Sequence, residues 1–392
     1  MQPFIDLAKQ QDRIRERLQT RIQDVLDHGN YIMGPEVKEL ENVLSQYVRC
    51  QHAISCSSGT DALLLALMAY GVGPGDAILT TPFTFIATAE VITLLGATPV
   101  FVDIDPKSFN ISADGIEKAL NAVAKRDSAI HALPKPLLDG DIRPKGIISV
   151  DLFGLPADYG QINAIAEKHN LFVIEDGAQS FGALLNGKRS GTLAHIGCTS
   201  FFPAKPLGCY GDGGMCFTDD DRLADAMRSL RVHGKGNNKY DNVRIGINGR
   251  LDTFQAAILL EKFAIYEEEL QLRQKVASVY GSLLSDYEKL TLPVVPENKL
   301  SAWAQYSILA ENETLRQKIM DNLNEKDVPS VVYYPKPLHL QPALSYLGYR
   351  EGDFIISEAV SRRIFSLPFY PYIQPEIQKK ISEIIGMAAG SA

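Results

Sequence analysis

The sequence has no apolar run near the roughly 20 residues that a bilayer-spanning helix requires. Its opening stretch, MQPFIDLAKQQDRIRER, contains no signal-peptide core either, so no membrane partner and a cytoplasmic location are expected. Basic charge is also scarce. The chain has 39 Lys and Arg against 47 Asp and Glu, a formal net charge of -8, and no basic stripe. That argues against nucleic acid as the main partner, because phosphate-backbone binding needs clustered cations. Five cysteines form no CxxC pair and seven histidines no HExxH or HxxxH cluster, so neither a disulfide framework nor a metal site is expected. No internal repeat or low-complexity tract is present. What remains is an ordinary globular composition, 45% hydrophobic and 22% charged, spread over 392 residues. That length exceeds the usual size of one core, which predicts one large and one smaller domain.

Residues 9–27 place Ile14, Leu18, Ile22, Val25 and Leu26 at helical spacing before Gly29, and Gly34-Pro35 opens a second helix. From residue 53 the pattern changes. Short apolar runs at 53–56, 77–80, 99–102, 146–150, 171–175, 196–202 and 215–218 alternate with helical segments near 60–70, 84–95, 112–124 and 158–168. This alternation predicts an α/β fold with a mostly parallel seven-stranded sheet covered on both faces, whose ligands bind beyond the carboxyl ends of the strands. Residues 125–145 hold three prolines and no clear period, and read as an inserted surface loop. A long helical run follows from about 251 to 286. Strands near 303–310 and 329–334, with helices near 313–326, 355–364 and 374–387, then suggest a smaller α+β part. The expected division is 1–255 and 256–392.

Lys205 is the most informative single residue. It lies in SFFPAKPLGCYGDGG, residues 200–214, between Pro203 and Pro206 and after Phe201 and Phe202. Most lysines are mobile surface charges. Here the prolines stiffen the backbone, and the aromatic rings offer walls that would desolvate an ammonium and favour the free amine of a Schiff-base lysine. Three more stretches follow predicted strands. Ser57 to Ala62 could hold a phosphate on Gly59 and Thr60 at a helix N-terminus, or supply ordinary caps. Asp176, with Gln179 three residues on, could pair with a protonated ring nitrogen or cap a helix. Phe85 could stack on a flat ring or fill the core. Ser200 could add a hydroxyl to the phosphate site. Together they match the needs of pyridoxal 5'-phosphate: an acidic partner for its ring nitrogen and a lysine for its aldehyde.

With GTDALLLAL, PFTFIATAEVITLLGATPVFVDIDP, VIEDGAQSFGA and NGRLDTFQAAIL added, the chain resembles the DegT/DnrJ/EryC1/StrS family of PLP-dependent nucleotide-sugar aminotransferases. The likeness runs from about Phe4 into the C-terminal part. It implies fold type I and a homodimer with shared active sites. Lys205 would carry the cofactor aldehyde, Asp176 would pair with the pyridine nitrogen, Gln179 would touch the ring hydroxyl and Phe85 would stack on the ring. Gly59, Thr60 and Ser200 would hold the phosphate, completed by Asn248 of the second subunit. Arg250, Tyr334 and Tyr31 would face the substrate. The lysine motif is most similar to the branch acting on UDP-linked 3-oxo sugars such as UDP-2-acetamido-3-oxo-glucuronate, with L-glutamate as donor and bacterial surface polysaccharide as the destination. A 4-oxo UDP- or dTDP-sugar is the alternative acceptor, and a non-catalytic regulator a remote one. A sugar dehydratase is disfavoured because that branch replaces the lysine with histidine. Tyr333 departs from the His-Tyr-Pro found in many relatives, and residues 125–145 have no counterpart in the relatives considered.

Overall fold

The structure, a computed structural model, describes residues 3–238 and 240–390. Its centre is a seven-stranded sheet built from β1 (His52–Cys56), β2 (Asp76–Thr80), β3 (Thr98–Phe101), β4 (Arg143–Val150) and β5 (Phe172–Asp176). A short hairpin, β6 (Leu184–Leu185) and β7 (Lys188–Arg189), precedes the last two strands of that sheet, β8 (Ile196–Ser200) and β9 (Gly214–Thr218). The spatial order is β1-β9-β8-β5-β4-β2-β3, and only β9 runs against its neighbours. The carboxyl ends of the other six therefore share one edge of the sheet.

Alternate residues of each strand serve opposite faces, as the pleat requires. Ile54, Ile78, Ile148, Ile174 and Ile196 pack under helices Gly59–Ala69, Ala87–Leu94 and Asp221–Leu230. Ala77, Leu79, Ile147 and Val173 pack under helices Ala113–Lys125 and Tyr159–Lys168. Burial on both faces explains why these strands read as continuous apolar runs. The N-terminal helices Leu7–His28 and Pro35–Val48 pack against helix Thr253–Phe263.

Beyond them, β10 (Leu290–Thr291), β12 (Tyr306–Ala310) and β13 (Ile364–Leu367) form an antiparallel sheet, while β11 (Lys299–Leu300) joins the β6–β7 hairpin. Helices Tyr266–Leu284, Glu313–Glu325 and Pro375–Ala389 cover the antiparallel sheet through Tyr280, Leu284, Ile319, Ile381 and Ile385.

Four expectations are corrected. The helical run beginning near 251 breaks at Ala264–Ile265 into helices Thr253–Phe263 and Tyr266–Leu284. The expected strand at 329–334 is irregular apart from a single bridge of Val331 to Ser366; the strand that pairs there is β13, of which the expected helix at 355–364 covers only Ile364 and the rest carries no expected element. The strand expected from 303 starts at Tyr306, because Trp303 adopts φ 50° and cannot be extended. Residues 125–145 are no bare surface loop: they hold a helical turn, Lys135–Asp139, the start of β4, and the buried Leu133 and Leu137.

Candidate active site

The carboxyl edge of the sheet opens into a cavity of about 420 Å³. It is lined on the sheet side by Ser58, Gly59, Thr60, Phe85, Thr88, Asp176, Gln179, Ser200 and Lys205, and by Gln305, Tyr333 and Tyr334 from the C-terminal part. Eight of the residues singled out from the sequence thus share one space: Gly59, Thr60, Phe85, Asp176, Gln179, Ser200, Lys205 and Tyr334. Asn248, Arg250 and Tyr31 do not line it. Asn248 is exposed, with its backbone bridged to Val232. Tyr31 stacks on Phe254 at 5.7 Å, and Ile32 bridges Asp252, so the Tyr31 stretch lies against the segment that follows Arg250. The Arg250 Nε is buried without a partner.

Lys205 sits in a loop whose two ends meet. Ser200 and Gly214 are cross-strand partners, Phe201 N donates to Gly213 O at 2.7 Å, and Cys209 N donates to Phe201 O at 2.7 Å. Phe201 turns into the core beside Phe181 and Phe217, so of the two expected aromatic walls only Phe202 faces the cavity. Desolvation pulls the Lys205 ammonium below its usual value, and the Asp176 charge partly offsets this.

Asp176 ends β5 and is buried. Burial raises its carboxyl above the usual range, opposed by the Thr88 hydroxyl, which donates to Oδ2 at 2.7 Å, by Ala178 N at 3.3 Å, and by Lys205. Thr88 lies one helical turn after Thr84, and both are buried. Gln179 is held at both ends: its Oε1 accepts from Phe153 N at 2.6 Å and its Nε2 donates to the Tyr334 hydroxyl at 3.2 Å. Beneath them, Glu175 accepts from Ser190 Oγ, Gly191 N and Leu193 N, while Asp151 accepts from Ala157 N, Tyr159 OH and Ser180 Oγ. Burial pushes both carboxyls up. This network pins the turn that carries Asp176 and Gln179.

Helix Gly59–Ala69 points its N-terminus at the same cavity. Ser58 caps it, accepting from Asp61 N at 3.0 Å, so the first-turn N–H groups and the positive dipole end are presented to an anion. Gly59 has no room for a side chain, since a Cβ there would stand 2.6 Å from the Ser200 Cβ. The backbone therefore comes as close to Ser200 as it can. The donor set fits pyridoxal phosphate: a helix terminus and two hydroxyls for a phosphate, a buried carboxylate for a ring nitrogen, and an amine of lowered basicity for an aldehyde. Phe85 precedes helix Ala87–Leu94, is 58% exposed and faces the cavity, so it is not core.

Sequence reasoning missed Thr88 and Gln305. Two threonines at i and i+4 on the inward side of a helix start were the available signal for Thr88. Nothing local marked Gln305.

The match to known proteins covers nearly the whole chain. The family model described as the DegT/DnrJ/EryC1/StrS aminotransferase family matches residues 12–386. A Pseudomonas aeruginosa protein named UDP-2-acetamido-2-deoxy-3-oxo-D-glucuronate aminotransferase is 46% identical over 94% of this chain and 95% of its own length. A Geobacillus stearothermophilus protein named pleiotropic regulatory protein is 40% identical, covering 98% and 97%. An Acidithiobacillus ferrooxidans protein named as a UDP-N-acetyl-3-dehydro-alpha-D-glucosamine 3-aminotransferase is 36% identical, covering 98% and 96%. Among solved structures, a DegT DnrJ EryC1 StrS aminotransferase from Brucella abortus superposes with a TM-score of 0.93 at 48% identity, covering 100% of both chains. NtdA from Bacillus subtilis, solved with bound cofactor PMP, superposes with a TM-score of 0.87 at 30% identity, covering 99% of this chain and 85% of its own. With the lysine, the buried aspartate and the helix N-terminus gathered in one cavity of the same fold, the chain belongs to the DegT/DnrJ/EryC1/StrS aminotransferase family.

Proposed function

We propose that this protein transfers the amino group of L-glutamate to a UDP-linked 3-oxo-2-acetamido sugar, using pyridoxal 5'-phosphate, in the synthesis of bacterial surface polysaccharide. The observation that carries this reading is the joint presence of Lys205 and buried Asp176 in a cavity that also receives a helix N-terminus. The 3-oxo acceptor is supported by the names of the Pseudomonas and Acidithiobacillus relatives.

When bound, the cofactor supplies an aldehyde that condenses with amines and a ring that takes up the electron pair released at the donor carbon. Lys205 would carry that aldehyde at rest and, once displaced by the donor amine, hold and move the proton at the donor Cα. Its lowered basicity suits this task, because a base must be unprotonated to accept a proton. Asp176, oriented by Thr88, would face the ring nitrogen and keep it protonated. Gly59, Thr60 and Ser200 would hold the phosphate, and Phe85 would stack on the ring. Gln179, locked between Phe153 N and Tyr334, would touch the ring hydroxyl.

Asn248, Arg250 and Tyr31 would act across a homodimer interface, reaching the partner's cavity rather than their own. Exposed Tyr31, Ile32, Met33, Phe202, Val243 and Ile245 give that interface apolar surface. The proposed division stays at 1–255 and 256–392, with helix Thr253–Phe263 on the N-terminal helices and helix Tyr266–Leu284 reaching from the core beside it to helix Pro375–Ala389. A cytoplasmic setting goes with nucleotide-linked substrates.

The reading is tested by incubating the cofactor-loaded protein with L-glutamate and a panel of 3-oxo and 4-oxo UDP- and dTDP-sugars while following 2-oxoglutarate. Turnover with a UDP-linked 3-oxo sugar is expected. Turnover on 4-oxo sugars alone would refute the choice of acceptor, and no 2-oxoglutarate from any combination would refute transamination.

A further inference from the structure

Gln305 borders the cavity and has no role in the proposed scheme. It stands immediately before β12, with one side on the cavity and the other on a void of about 20 Å³ behind Phe153 and Trp303. Its Oε1 is buried without a hydrogen-bond partner. Leaving a buried acceptor unpaired is costly, and such an atom in a native fold calls for an explanation. Neighbouring carbonyls and hydroxyls are paired. Ser301 O accepts from Gln274 at 2.8 Å, Trp303 O from Arg273 at 2.9 Å, and Ser307 Oγ pairs with Ser366 Oγ at 2.8 Å. The Gln305 Oε1 is left unpaired, at the place where the C-terminal part meets the cavity.

Tyr333 shares that wall. Ser366 bridges Val331 and pairs with Ser307 of β12, which brings the 331–334 segment beside the strand that Gln305 precedes. The Tyr333 ring is backed by Phe4 at 6.4 Å and by Tyr334 at 5.9 Å, and burial pushes its phenol up, so it stays neutral. An amide and a phenol each donate and accept, and neither carries charge. A dicarboxylate amino donor is best held by cations, which Gln305, Tyr333 and Tyr334 lack. A sugar ring instead offers hydroxyls and an acetamido group, which neutral donor–acceptor pairs match. The last torsion of a glutamine is broad, so either amide atom can turn to a ligand.

Resting on the aminotransferase reading above, we propose that Gln305 reads the acceptor sugar, hydrogen bonding to its ring hydroxyls or acetamido group, and takes no part in holding the amino donor.

The two halves of the reaction separate this role from a structural one. Cofactor-loaded wild type and Gln305→Ala are mixed first with L-glutamate, following one equivalent of 2-oxoglutarate, and the aminated proteins are then mixed with the UDP-linked 3-oxo sugar. The glutamate half should stay within about twofold of wild type, whereas kcat/KM for the sugar half should fall about 10- to 100-fold in Gln305→Ala. Calorimetric binding of UDP-N-acetylglucosamine, a probe needing no turnover, should weaken about tenfold in Gln305→Ala, the loss expected for one hydrogen bond. Unchanged sugar kinetics and binding, or equal slowing of both halves, would overturn the inference while leaving transamination intact. A wild type that makes no 2-oxoglutarate from glutamate would instead overturn the functional reading and this inference with it.

Discussion

Two lysines among the described residues are desolvated to different ends. Lys205 borders the cavity near Asp176. Replacing it with alanine is expected to abolish 2-oxoglutarate release while circular dichroism stays native; full turnover in that variant would sink the assignment. Lys262 is 1% exposed under the N-terminal helix, with its Nζ 4.8 Å from the Tyr210 ring centroid, and faces the charges of Glu269 and Arg273 and the Cys209 thiol. Burial pulls it down to about 8 from an ordinary 10.5. Between those values the unfolded chain binds more protons than the folded one, so stability rises with pH; below about 8 the burial penalty is fully present. Lys262→Met should therefore be more stable at pH 7, by on the order of 3 kcal/mol as an upper bound, and should lose the rise between pH 8 and 10. Denaturant melts across that range check it, and an unchanged slope would refute it. Lys205 and Asp176 were legible because stiff backbone, aromatic neighbours and position after a strand are all local in sequence. Thr88 and Gln305 were not, since one matters through a bond to residue 176 and the other through the burial of a single atom.

Helix termini carry much of the site's construction. At Gly59 the helix start and β8 nearly touch, and any side chain would displace Ser200. Gly59→Ala is expected to weaken pyridoxal phosphate binding at least about tenfold, in line with the 1–3 kcal/mol of an overpacked contact, as read by absorbance titration. Wild-type affinity would show that the cradle yields freely. A second terminus joins the two parts of the chain. Asp103, just beyond β3, accepts from Ile356 N and Ser357 N, both at 2.9 Å, and from Ser357 Oγ at 2.6 Å, at the start of helix Ile355–Arg363. Asp103→Ala should cost about 1–3 kcal/mol in urea melts, and Asp103→Asn less; no change would mean that water replaces the carboxylate. The main sheet was readable because strands buried on both faces are unbroken apolar runs. β13 was hidden because Ile364 to Leu367 follows helix Ile355–Arg363 without a turn residue, and its partner strand lies over 50 positions earlier.

At the scale of the whole molecule, the proposed dimer makes a sharp prediction. Lys205→Ala and Asn248→Ala subunits should each be inactive or weak alone, yet a hybrid of one of each has one site with a native lysine and a native asparagine from across the interface. Mixing the two under mild denaturation should restore activity, and failure to do so in a demonstrated hybrid would mean that Asn248 serves its own subunit or none. The loop from Ser200 to Gly214 bears on a different property of the assembled protein. Because its two ends are cross-strand partners, closed by the Phe201 and Gly213 backbone, those ends are held by the sheet. On that basis cofactor uptake is expected to be a docking event on a preformed surface. Protein stripped of pyridoxal phosphate should reload at a rate proportional to its concentration and without a lag, so the chain would behave as a reusable holder whose small-molecule part is exchangeable cargo.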